Sequence, residues 1–305
     1  HLIITQGVMY GLSGAICYYP CLVYLEEWFI QRKGLAYGIM WSGSGIGGFA
    51  IPLILQTFLD MWGFRTTLRI WAVVMFAITL PAIFFVKPRL PVSASTHSQA
   101  YNLGFVFDKT FLLYQSASLV QGIGYFLPPI FLPTYARVFL NTGPFLSALT
   151  VILVNIASIF GLVVVGFLSD RLHPTTCISI STVGAVAGIL FVWGFAVNLA
   201  VLYVFCIIYG FFAGSYVSSW PAITKHVATD YTIHESRPDS STRGRAVFDP
   251  LMILAFLTAG RGVGNLLSGP LSEALTTGTS WRGSAAAGYG SGYGPRITFT
   301  GVKAL

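Results

Sequence analysis

Seven or eight apolar runs of nearly equal length follow one another along the chain, and that repetition restricts the fold more than any motif does. With fuzzy ends they cover residues 2–25, 35–59, 67–86, 111–135, 145–168, 176–197, 199–223 and 251–275, and a possible ninth begins at Ile297 and stops at Leu305. A membrane-spanning helix needs about 20 mainly apolar residues. Inside hydrocarbon the backbone polar groups must satisfy one another, which a helix does within a single segment. Composition agrees: 55% of the 305 residues are hydrophobic, only 9% are charged, and the mean hydropathy is +0.74. Soluble domains carry roughly 25% charged residues. The expectation is an all-α, integral, multi-pass membrane protein whose bulk partner is the lipid bilayer.

The net charge of +7 would suggest a nucleic-acid partner in a soluble domain, but here the basic residues sit mostly in short links between apolar runs, where they set orientation. Alternating the links puts Arg32, Lys33, Lys87, Arg89, Lys109, Arg171, Lys225, Arg237, Arg243 and Arg245 on one face, against Arg65, Arg69, Arg137, Arg282 and Arg296 on the other. By the positive-inside rule the richer face is cytoplasmic, and no nucleic-acid partner is expected. The chain begins at His1 with no basic region and cleavage site, so no signal peptide is expected and the start reads as truncated. Cys17, Cys21, Cys177 and Cys206 lie in apolar runs without metal spacing and read as small packing residues. Three polar stretches interrupt the pattern: residues 87–109, read as a solvated linker, 225–245, read as a mobile loop, and the Gly-rich 283–294, read as a flexible connection.

Arg261 stands out, because an arginine near the centre of a spanning helix costs about 2.5 to 3.5 kcal/mol on insertion scales and usually faces a bundle interior or a wet cavity. Arg261, Asn265, Ser268 and Ser272 recur at helical spacing as one polar stripe. The guanidinium suits a bidentate pair with a substrate carboxylate; the other reading is hydrogen bonding to backbone carbonyls of a neighbouring helix. Apart from Asp60 and Glu273, both at helix ends, no intramembrane carboxylate is visible in the sequence. The sequence "GSGIGG", 43–48, matches a dinucleotide-binding spacing, but that motif needs a strand before it and a helix after it in a soluble unit. Within an apolar helix it reads instead as small residues allowing close helix approach, as do Gly260, Gly264 and Ser268. His226 and His234, beside Glu235, read as solvated loop histidines, and Glu26 and Glu27 as solvated partners of Arg32 or Lys33.

Five segments, "WFIQRKGLAYGIMWSGSGIGGFAIP" (28–52), "GFRTTLR" (63–69), "KPRLP" (87–91), "NIASIFGLVVVGFLSDR" (155–171) and "AGRGVGNLLSGPLSEAL" (259–275), together resemble the major facilitator superfamily. Within it they are similar to the fungal branch of the monocarboxylate porter family. The resemblance implies twelve helices in two bundles, of which this chain would hold helices four to eleven and the opening of the twelfth. It would then divide into residues 1–86, the second half of the N-terminal bundle; 87–110, a cytoplasmic linker; and 111–305, most of the C-terminal bundle.

The resemblance also places helices seven and ten at a central cavity, which nominates Gln115, Gln121 and Tyr125 with Tyr209, Tyr216 and Trp220 as lining residues beside Arg261 and Asn265. It gives Gly166, Asp170 and Arg171 of "GFLSDR" a role in holding one gating state. Transporting animal members carry an aspartate and an arginine in the helix that handles proton and substrate; here Ser158 and Leu162 occupy those places, so the proton-coupled lactate mechanism does not carry over with them. The expected function is secondary transport of small organic anions, monocarboxylate-like, by alternating access about a midplane site, with a coupling proton as a possible partner. A non-transporting membrane sensor and an inactive truncated fragment are the alternatives. The sequence offers no metal cluster, no nucleophile paired with a base and no cofactor motif, so neither a cofactor nor catalysis is expected.

Overall fold

The computed structural model describes residues 3–89, 103–235, 250–274, 287–291 and 293–304. Among these residues every regular element is helical. A π-helical turn, Ile3–Met9, leads into α1, Tyr10–Trp28, and α2 runs from Lys33 to Phe85. The next helices are α3, Lys109–Tyr125, α4, Leu127–Val138, α5, Pro144–Ser169, and α6, Pro174–Ala187, which a π-helical segment, Gly188–Trp193, extends. A 3-10 segment, Ser215–Ser219, joins α7, Leu199–Gly214, to α8, Trp220–Glu235; α9, Pro250–Ala274, and α10, Gly294–Ala304, follow.

Six helices among the described residues are long and apolar enough to cross a membrane. One is α2, whose 53 residues would be about 80 Å long if straight, far more than the ~30 Å hydrocarbon core. It breaks at Gly63, where φ is 69° and ψ is 171°, a conformation open to a residue without a Cβ. The break divides α2 into two spans. The apolar run expected at 111–135 is likewise split, at Phe126, into α3 and α4, each too short to qualify alone. Its cause is local: Pro128 and Pro129 open α4 and cannot donate to the preceding turn. Counted with these two breaks, the eight expected runs all have helices.

Helix ends follow their sequence. The Asp108 side chain accepts from the Thr110 and Phe111 amides and so caps α3, His173 caps α6 ahead of Pro174, and Pro144 opens α5. Hydroxyls within helices, such as Thr150, Thr224 and Thr258, donate to carbonyls three or four residues back, which satisfies them without solvent.

Three expectations about polar stretches change. Helix α8 continues to Glu235, so the loop expected over 225–245 is helical in its first eleven residues; apolar neighbours on one face of α8 (Ile223, Val227) carry the helix past the charged positions. Residues 236–249, which include Arg237, Arg243 and Arg245, lie outside the described residues. The expected linker lies partly outside them too, but its end is packed: Phe105, in a 3-10 turn over Gly104–Phe107, is fully buried edge-on against Phe111 and Phe256. The Gly-rich stretch is tied down where it is described, since Tyr289 donates to the Leu190 carbonyl (2.8 Å) and Gly288 sits against the Trp193 carbonyl. Of the cysteines, Cys177 and Cys206 are buried as expected, whereas Cys17 is exposed.

Two buried clusters organise the interior. One joins Leu22, Tyr37 and Trp41 of the early helices to Phe111, Leu162, Tyr216, Trp220 and Leu257. The other holds Tyr135, Trp193, Phe205, Tyr209 and Ile297. A close seam lies between the first span of α2 and α5. A Cβ on Gly38 would run into the Leu162 carbonyl oxygen, Gly166 meets the Gly34 backbone, and Gly45 and Gly48 face Asn155. Gly43 faces open space, so only part of "GSGIGG" serves the close approach. Large apolar side chains such as Val73, Phe76 and Ile83 are exposed, as lipid-facing positions are.

Candidate functional site

Arg261 projects from α9 among rings. Its Cζ lies 4.8 Å from the Tyr125 ring centroid and 5.8 Å from that of Trp220. No carboxylate among the described residues forms an ion pair with it, and its buried Nη1 has no hydrogen-bond partner. The backbone reading of Arg261 therefore fails for Nη1, and ring faces supply the attraction that a counter-ion otherwise would. Helix α9 can bring the guanidinium here because it lies close against α3: Gly122 touches the Arg261 backbone, and Gly264 touches the Leu119 carbonyl.

The other nominated side chains divide. Gln121, Tyr125, Tyr209 and Tyr216 line a half-open cavity of about 380 Å³ between α3, α6, α7 and α10, with Ser181, Phe212 and Thr300 among its other walls. Arg261, Asn265, Gln115 and Trp220 stand outside that cavity, and Tyr125 is the link between the two groups. We take the Arg261 cluster as the site because it holds the charge. Gln115 turns toward α9, its Nε2 donating to the Phe256 carbonyl (2.9 Å), and Gln121 Nε2 donates to the Ala213 carbonyl (3.4 Å). A backbone carbonyl only accepts, which fixes both amides; the Oε1 atoms of Gln115 and Gln121 are left buried without partners, as is Asn265 Oδ1. Tyr209 donates to the Tyr125 carbonyl (2.8 Å) and their rings stack at 6.5 Å. The Tyr216 hydroxyl lies 3.4 Å from Ser118 Oγ. Ser268 is buried and donates to the Asn265 carbonyl; the Ser272 side chain is outside the described residues.

Two residues of this site escaped sequence reasoning, Tyr18 of α1 and Trp41 of α2. Trp41 meets Trp220 edge to face at 5.5 Å, and its Nε1 donates to the Tyr18 hydroxyl. The signal was present: Tyr37 and Trp41, four residues apart, share a face with the packing glycines Gly34, Gly38 and Gly45.

A second constellation sits at the end that the charge count assigns to the cytoplasm. Asp170, at the end of α5, accepts from the Gly34 amide (2.7 Å) and the Leu35 amide (2.9 Å), so it caps α2 from another helix. Gly166 makes this possible by letting the Gly34 backbone come close. Arg171 does not join the contact; it is exposed, with its Cζ 4.5 Å from the Phe167 ring of its own helix. Lys33 pairs with Glu26, which also accepts from the Tyr37 hydroxyl (3.1 Å), while Glu27 accepts from the Arg89 amide (2.9 Å). Glu26, Lys33, Asp170, Arg171, His173, Lys225, His226 and Asp230 thus all border one cleft. His226 is half-buried on α8, 4.7 Å from the His173 ring, and not a solvated loop residue; the His234 side chain is outside the described residues.

Ser158 and Leu162 belong to the α2/α5 seam. Ser158 lies against Gly45 and Gly214, and Leu162 is buried in the first cluster while its carbonyl accepts from Ser218 (2.9 Å).

The sequence profile of the Major Facilitator Superfamily matches residues 2–235. The chain belongs to the major facilitator superfamily. Similar proteins include an MFS-type transporter, pynF, of Aspergillus niger, 27% identical over 235 residues, which are 76% of this chain and 53% of that protein. A second, the MFS-type transporter pytF of Aspergillus terreus, is 35% identical over 171 residues, 56% of this chain and 57% of the relative. The aspyridones efflux protein apdF of Emericella nidulans is 28% identical over 229 residues, 74% of this chain and 45% of the relative. The chain spans about half the length of these relatives. As a major facilitator protein it is an integral multi-pass membrane protein of a transporter family, with an all-α fold.

Proposed function

We propose that this chain serves secondary transport of small organic anions by alternating access, with Arg261 as the group that takes the anion's charge. The observation carrying the proposal is the buried Arg261 Nη1 without a hydrogen-bond partner, in a guanidinium that no described carboxylate pairs with. A cation held this way costs stability unless a ligand offsets it. A monocarboxylate is the simplest member of the proposed class, and the likeness to the aspyridones efflux protein apdF favours outward movement. The two moving parts are residues 1–86 and 111–305, joined by 87–110. Asp170 on the α2 amides is the contact that keeps them together at the cytoplasmic end, so its release accompanies opening there. A coupling proton remains part of the proposal; His173 and His226 are the imidazoles available near that contact.

The test is flux in proteoliposomes of an organic acid and of its neutral amide of the same shape. The anion is carried and the amide is not, and Arg261→Gln removes the difference. Equal flux of acid and amide in the unmodified chain would overturn the reading.

A further inference from the structure

We propose that the Arg261 site selects flat, conjugated anions over saturated anions of the same charge and shape, and that Trp41 is a specificity-determining residue for that choice. This rests on the reading of Arg261 as the anion's partner and adds the substrate's chemical class.

Ring faces attract the guanidinium now. Its neighbours are the rings of Tyr125 at 4.8 Å and Trp220 at 5.8 Å, and ring faces attract a cation through their negative quadrupole. A carboxylate arriving at Nη1 neutralises the charge and draws it from these rings. A saturated ligand body offers the vacated ring faces only burial, whereas a conjugated one offers offset or edge-on ring contacts in addition. The same rings extend outward: Tyr125 stacks on Tyr209, and Trp220 meets Trp41 at 89°. The Trp41 N–H is already occupied by the Tyr18 hydroxyl, so Trp41 contributes its ring. The Trp220 Nε1 is also buried without a partner, in the ring whose centroid lies 5.8 Å from Arg261 Cζ. Tyr18 and Trp41 come from the chain before the linker, and Trp220 and Arg261 from the chain after it, so the selecting wall is complete only while both are together.

The experiment is calorimetric titration of the purified full chain in lipid nanodiscs with 2-naphthoate, with decahydro-2-naphthoate, and with 2-naphthamide. The expected result is naphthoate binding at least about tenfold tighter than its saturated counterpart, the change that roughly 1.4 kcal/mol of ring contact produces. Trp41→Leu brings that ratio toward one, and Trp41→Phe, which keeps a ring, retains most of it. A ratio near one in the unmodified protein overturns the proposal without needing any variant. If that occurs while both acids still bind tighter than the amide, anion recognition by the site survives and ring selection alone fails. If naphthoate and naphthamide bind equally, anion recognition itself fails. Binding of none of the three overturns both.

Discussion

Removing the Asp170 carboxylate should open the end of the protein that the charge count assigns to the cytoplasm. The carboxylate accepts from the Gly34 amide at 2.7 Å and the Leu35 amide at 2.9 Å, and these bonds join α5 to the first turn of α2. Hydrogen bonds to a charged group contribute about 1.5 to 3 kcal/mol each when shielded. Asp170 is exposed, so screening by water reduces each to the lower end or beneath it, and about 2 kcal/mol for the pair is a fair figure. That energy shifts a two-state equilibrium roughly 30-fold. The assay is a spin-label distance measurement between Gln31 and Leu172, which border the same cleft from opposite sides of the contact, after Cys17→Ser and Cys21→Ser remove the more accessible native thiols. The unmodified protein should give mainly the short distance, and Asp170→Ala should raise the ratio of long to short distances about 30-fold. An unchanged distribution in a folded Asp170→Ala protein would refute the idea that this cap holds the two parts together.

Three further outcomes are expected. Gly38→Val pushes a side chain into the Leu162 carbonyl where α2 and α5 touch, so it should lower thermal stability by about 1 to 3 kcal/mol and favour the long distance in the same assay, whereas Gly43→Ala, facing open space, should do neither. Asp108→Ala removes the cap of α3 and should cost about 1 kcal/mol in a denaturation assay without changing ligand selectivity. Tyr209→Phe loses the bond to the Tyr125 carbonyl, which should cost about 1 kcal/mol and loosen the ring beside Arg261, read as weaker anion binding.

Hydrophobic length made much of the fold legible. The run expected at 145–168 is α5, Pro144–Ser169, and that at 251–275 is α9, Pro250–Ala274, because in lipid a helix satisfies the backbone polar groups within the segment. What hydropathy could not register was backbone detail that leaves it unchanged. The split at Phe126 was announced by Pro128 and Pro129, which an apolar count treats as neutral. Helix α8 continued through Lys225 and Asp230 because Ile223 and Val227 pack inward on the same helix. Arg261 was legible as an anomaly, and Tyr125 and Trp220 were nominated with it, but their ring faces as its partners were not, since cation–π contacts join residues far apart in sequence. Trp41 was missed because the resemblance directed attention to helices seven and ten, whereas the ring comes from the second span of the chain.

The measurement that bears most directly on the account is the flux of 2-naphthoate into proteoliposomes containing the unmodified chain, Arg261→Lys or Arg261→Gln. Saturable flux is expected that falls at least about tenfold in Arg261→Gln and is only partly restored by lysine, whose point charge lacks the planar fork. Flux that persists undiminished in Arg261→Gln would contradict the central claim and leave the buried guanidinium a structural element of the α3/α9 contact.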